Sequence, residues 1–119
     1  MKYMLLIYDE EQIWAKMGEA ERNQMFGEYM QFSKDIHTSG HHLASAPLQP
    51  TSTATSVRIR NQKRLITDGP FAETREQLGG YYLVEAKDLD EAISLAARIP
   101  SARLGTIEVR PVMEVPAPA

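Results

Sequence analysis

Apolar positions in this chain follow three different periods, and the periods divide it into elements. Tyr3 to Tyr8 is an unbroken run of residues that favour strands, with the length of a central strand covered on both sides. From Glu19 to Ser39 the spacing becomes helical. Met25, Tyr29, Phe32 and Ile36 fall on one face, and Phe26 and Met30 widen the stripe. Acidic Glu19 and Glu21 near the start and His37 near the end suit the helix dipole, and Gly40 is a suitable residue just past the end. Asp9 to Lys16 is read as a polar connection. It carries the single tryptophan, Trp14, which either closes over the edge of a pocket or caps the core.

The second half alternates. Leu43 to Gln49 is a short strand broken by Pro47 and ended by Pro50, which points to an edge or a bulge. Thr51 to Ser56 is a Ser/Thr-rich approach. Val57 and Ile59 then alternate with Arg58 and Arg60, as in a half-buried strand. Arg64 to Thr67 returns as its partner across Asn61-Gln62, a hairpin turn without the preferred glycine. Tyr81 to Ala86 is a strand. Asp88 opens a second helix, with Glu91 at capping-box spacing and an expected buried stripe of Leu89, Ala92, Ile93, Ala96 and Ala97; Pro100 stops it. Thr106 to Val115 is the last strand, with Ile107 and Val109 on one face, Glu108 and Arg110 on the other, and an edge or bulge at Pro111. Residues 116–119 form a frayed tail.

The order is strand, helix, strand, hairpin, strand, helix, strand. That order predicts a ferredoxin-like α+β domain over 1–119, an antiparallel sheet with two helices on one face. The other face still carries apolar side chains and needs cover.

Composition narrows the function. The net charge of −3 argues against nucleic acid as the main partner. The absence of cysteine excludes a thiolate nucleophile, a disulfide and sulfur ligation of a metal, and fits a reducing cytoplasm. No apolar run approaches the ~20 residues of a membrane helix, and no signal peptide is evident. No metal-ligand spacing or glycine-rich phosphate loop is present, so no cofactor is expected. His41 and His42 stand together in a turn. They are read as solvated turn residues, with a catalytic or metal role as the alternatives.

The most unusual stretch is Thr67 to Glu85. Asp68-Gly69-Pro70 is a strong turn signal with Phe71 directly after it. Glu73, Arg75 and Glu76 follow, and Gly79-Gly80 precedes the Tyr81-Tyr82 strand. Asp68 at a rigid turn beside Phe71 is the best acid/base candidate, since partial desolvation moves a carboxyl toward useful pKa values. The alternative is that it only holds the turn. Arg58 and Arg110 are candidates to bind a carboxylate or phosphate, although Arg110 and Glu108 share a face and can pair. Phe71, Glu73, Tyr3 and Tyr81 complete the expected ligand set.

The run D-G-P-F-A-E-T from Asp68 to Thr74, with Arg75-Glu76 and the G-G-Y-Y from Gly79 to Tyr82, resembles the DGPF signature of the YCII-related family. Met1 to Tyr8 and Ile107 to Val112 resemble that family's first and last strands. The resemblance implies a bacterial homodimer in which two such sheets pack face to face as a dimeric α+β barrel. It also implies a small-molecule ligand and permits a lyase-like reaction, because some relatives are linked to breakdown of chlorinated aromatics. A related branch pairs an Asp with a His. Asp68 is set against that Asp, and no histidine here is matched to its partner. The alternative function is a non-catalytic regulatory module, since DGPF genes are often associated with extracytoplasmic-function sigma factors.

Overall fold

The computed structural model describes residues 1–118. Its elements are β1 (Lys2–Asp9), α1 (Glu11–Lys16), α2 (Glu19–Thr38), β2 (His42–Pro47), β3 (Thr55–Arg60), β4 (Lys63–Asp68), β5 (Gln77–Glu85), α3 (Leu89–Ala97) and β6 (Thr106–Pro111). Four strands form one antiparallel sheet in the order β2-β5-β1-β6. With the β3–β4 hairpin set aside, that is the ferredoxin-like strand order, and the expected α+β class is the one observed. Of the expected tail, Pro116 to Pro118 carry no regular structure, and Ala119 lies outside the described residues.

Strand β1 is central, with β5 on one side and β6 on the other. Its two faces are not equally covered. Tyr3, Leu5, Ile7 and Asp9 are buried, whereas Met4, Leu6 and Tyr8 are only half-buried. The helices lie on the first face, where Phe32 and Ile36 of α2 meet Leu5, Tyr82 and Val84. Phe32 and Tyr82 stack edge to face with centroids 5.1 Å apart. Both prolines expected at edges are there: Pro47 ends β2 and Pro111 ends β6, the outer strands, where a missing N–H costs no ladder bond.

Several expectations need correction. The connection after Asp9 contains a helical turn and a half, α1; six residues are too few for a readable period. Phe26 and Met30 do not widen the buried stripe of α2; both are exposed. The stripe of α3 is rotated. Ala92, Leu95, Ala96 and Ile99 are buried, and Leu89, Ile93 and Ala97 face outward. The buried set repeats at i, i+3, i+4 and i+7, and Leu95 and Ile99 supply its bulk. Strand β5 starts at Gln77, so Gly79 and Gly80 lie inside it, not before it. The reason is space: a Cβ on Gly80 would lie 3.0 Å from the Ala46 carbonyl of β2. The cap of α3 is as read, with Asp88 Oδ1 accepting from the Glu91 N–H at 2.9 Å.

The β3–β4 hairpin forms its own two-stranded sheet. Asn61 and Gln62 take φ of 51° and 64°, the left-handed pair that a two-residue hairpin turn requires. The hairpin stands off the body as an arm. Val57, Ile59 and Ile66 on one of its faces are 59%, 60% and 55% exposed. The radius of gyration is 16.6 Å, against about 13–14 Å for a compact chain of this length.

Candidate functional site

The D-G-P-F turn sits at the root of that arm. Gly69 has φ of 97°, a region that only glycine enters freely. Its N–H donates to the Ala54 carbonyl at 2.7 Å, and its own carbonyl accepts from Ser56 Oγ at 2.8 Å. The turn is therefore tied to β3 by backbone and serine, without the Asp68 carboxylate. A concavity of about 250 Å³ opens beside it, lined by Ser56, Arg58, Leu65, Thr67, Pro70 and Phe71. It combines one guanidinium, two hydroxyls and a phenyl ring, which suits a small anionic or hydroxylated aromatic molecule.

Strand alternation decides which predicted residues share this concavity. Ser56 pairs with Thr67 and Arg58 with Leu65, so these four side chains lie on one face of the arm. Asp68 pairs with Thr55 and lies on the opposite face, with Val57 and Ile66. The fold thus brings Arg58 and Phe71 together and sets Asp68 behind them, exposed to solvent. Glu73 is exposed in the following loop, and Arg75 pairs with Glu10 at 2.7 Å.

The other candidates lie on the main sheet. Leu6 pairs with Tyr81 on one side and Glu108 on the other, and Met4 pairs with Leu83 and Arg110. Tyr81, Glu108 and Arg110 therefore occupy the face without helices. Arg110 binds Glu108, and this partner holds the guanidinium pKa above its ordinary value. Tyr3 is on the opposite face, buried in the core, with its hydroxyl 3.7 Å from Met1 Sδ.

The fold also assembles two polar clusters that the linear reading missed. Asp9 is buried at the end of β1. Its Oδ2 accepts from Trp14 Nε1 at 2.8 Å and from Ser101 Oγ at 3.0 Å. Tyr29 donates in turn to Ser101 Oγ at 2.5 Å. Burial pushes the Tyr29 hydroxyl up to about 12, with the Asp9 charge adding to it. The Trp14 ring lies 6.3 Å from Phe26 and 6.4 Å from Tyr29 by centroids, so Trp14 caps the core. One signal was available: Asp9 continues the alternation of Tyr3, Leu5 and Ile7 on the buried face.

The second cluster surrounds the histidines. His41 Nε2 meets Glu91 Oε1 at 3.1 Å, and its Nδ1 meets Ser39 Oγ at 2.6 Å. Glu91 is fifty residues away in sequence, which is why local spacing gave His41 no partner. His42 stacks on His37 with centroids 3.8 Å apart. Burial, with the nearby His37 second, holds the His42 pKa below its ordinary value. Among the described residues no group of three or more His, Cys, Asp or Glu is placed to hold a metal, and no helix is long and apolar enough to cross a membrane.

Comparison with known proteins places this geometry in a family. Residues 1–116 match the model of the YCII-related domain. An uncharacterized protein of Rhizobium meliloti (strain 1021) is 32% identical over 114 residues, covering 94% of this chain and 92% of its own. Among solved structures, the chain is similar in fold to the 5-chloro-2-hydroxyhydroquinone dehydrochlorinase of Burkholderia phenoliruptrix AC1100 in complex with 2,5-dihydroxybenzoquinone. That likeness has a TM-score of 0.56 and 12% identity, covering 97% of this chain and 96% of that one. The match over the signature turn and both terminal strands makes the chain a member of the YCII-related domain family.

Proposed function

We propose that this protein binds a small, polar aromatic molecule in the concavity at the root of the hairpin arm. The observation that carries the reading is the convergence of Arg58 and Phe71 on one hollow beside the signature turn. A guanidinium grips a carboxylate or phenolate in its plane, and a phenyl ring stacks on the ring that bears it. The dehydrochlorinase of similar fold holds a dihydroxybenzoquinone, a ligand of that class.

Thermal shift with 2,5-dihydroxybenzoquinone as the probe tests this. The expected result is stabilisation of the unaltered protein, lost in Arg58→Ala and Phe71→Ala. Asp68→Asn, on the opposite face of the arm, should bind the probe as the parent does. An unaltered protein that gives no shift at a saturating probe concentration, or an Arg58→Ala variant that shifts as much as the parent, sinks the proposal.

A further inference from the structure

We propose that Ser39, His41 and Glu91 form an acyl-transfer centre, in which Ser39 Oγ takes the acyl group of a short, neutral aryl ester or thioester, His41 is its base and Glu91 orients the imidazole. The geometry comes first. Ser39 Oγ lies 2.6 Å from His41 Nδ1, and His41 Nε2 lies 3.1 Å from Glu91 Oε1. A hydroxyl within reach of an imidazole whose far nitrogen meets a carboxylate is the arrangement that activates serine on unrelated folds.

The partners also fix where the protons sit. An ionised carboxylate only accepts, so His41 carries its proton on Nε2 and donates it to Glu91. Nδ1 is then a bare lone pair, and the Ser39 O–H donates to it. That is the tautomer a general base needs. The other acceptor near the hydroxyl, the Ile36 carbonyl, is farther away at 3.3 Å.

Each member is held by main chain. Ser39 follows the last turn of α2, with its N–H bonded to the Asp35 carbonyl at 2.9 Å. The His41 N–H donates to the Ile36 carbonyl at 3.0 Å, and its carbonyl accepts from the Glu85 N–H at 2.8 Å. Glu91 stands in the first turn of α3, where the Lys87 N–H donates to the same Oε1 at 3.1 Å. Ser39 is open to solvent, whereas the side chains of His41 and Glu91 are 24% and 29% exposed, so the relay behind the hydroxyl is shielded. The centre lies where β5 ends, and the hairpin arm leads into β5 where it begins. It is therefore separate from the hollow at Arg58.

In acylation a bond forms between Ser39 Oγ and the carbonyl carbon, the serine proton passes to His41 Nδ1, and the phenol or thiol leaves with that proton. Water then attacks the acyl-serine, with His41 again taking and returning the proton, and the carboxylic acid departs. The surroundings select the acyl donor. The N–H groups of Gly40 and His41 are bonded to the His37 and Ile36 carbonyls and do not support an oxyanion, so the ester must carry a good leaving group. The carbonyl end of α2 and the Glu91 carboxylate repel a negative acyl chain, so the chain is neutral.

The test incubates the purified full chain with 4-nitrophenyl acetate and follows nitrophenol release, with mass spectrometry of the acid-quenched protein. An acetyl group should appear on Ser39. Ser39→Ala should lose it, and Ser39→Cys should still be acetylated at that position. His41→Gln should be acetylated on Ser39 about 10²-fold more slowly. Glu91→Gln keeps a residue type that suits the capping box and should react at least about tenfold more slowly. Far-UV circular dichroism of each variant should match the parent. Arg58→Ala should be acetylated as the parent is, so this centre and the aromatic site fail independently. Acetyl groups found only on lysines, tyrosines or the N-terminus overturn the proposal. So does a Ser39→Ala protein that releases nitrophenol as fast as the parent, or a His41→Gln protein acetylated on Ser39 at the parent rate.

Discussion

Ser101 donates a buried hydrogen bond to Asp9 across 92 residues of sequence, at 3.0 Å. The bond joins the end of the central strand to the turn of 3-10 helix that follows α3. Trp14 and Tyr29 bring α1 and α2 to the same point. Among the described residues no buried side-chain polar atom is left unpaired, so this cluster is complete as it stands. A complete buried network fixes one arrangement of the elements around it, because every alternative strands a donor.

Removal of its acceptor is the first prediction. Asp9→Ala leaves the Trp14 N–H without a partner inside the protein and leaves the Ser101 hydroxyl only Tyr29. The expected cost is about 2–4 kcal/mol, measured by urea unfolding. Asp9→Asn keeps an acceptor oxygen in place and should cost about half as much. A loss below ~0.5 kcal/mol for the alanine variant would show that water takes over the bonds, and that the network is not what holds these elements together.

Gly105 gives the second. A Cβ there would lie 2.1 Å from the Tyr8 carbonyl and 2.9 Å from Asp9 Cα. Both are backbone atoms of the central strand and cannot swing aside. Gly105→Ala should therefore cost at least about 3 kcal/mol or prevent folding. Gly27→Ala, on the exposed side of α2 where nothing lies within 4 Å, is the matched control and should be neutral or slightly stabilising. Melting temperatures of the two variants decide the matter, and equal values would refute it.

His42 gives the third. Its folded pKa lies below the ordinary imidazole value, chiefly through burial and secondly through His37. As pH falls through about 6.5, the unfolded chain takes up the proton first, so stability drops. The loss continues until the folded state is protonated too, and then levels. Replacing His42 with Gln should flatten this acid limb of a stability profile taken from about pH 7.5 downward. An unchanged acid limb in His42→Gln would assign it to other groups.

Much of the fold could be read along the chain. The run from Tyr3 to Tyr8, the cap at Asp88 and the prolines at Pro47 and Pro111 each state a local preference that the fold obeys. The signature turn at Asp68 is equally local, and it appears where it was expected. The phases of the helices could not be read as well. Phe26, Met30, Leu89 and Ile93 are as apolar as their buried neighbours, and only the position of the sheet decides which of them it covers.

The site divides along the same line. Sequence alone named Asp68, Arg58 and Phe71, because turn chemistry and charge are properties of neighbours. It could not say that Asp68 and Arg58 face opposite sides of the arm, because that depends on the pairing of β3 with β4. Nor could it supply Ser101 to Asp9, or Glu91 to His41, since each partner arrives from a remote segment. Local conformational preference is written residue by residue, whereas a buried polar contact exists only after the chain has closed a long loop and removed the water between its ends.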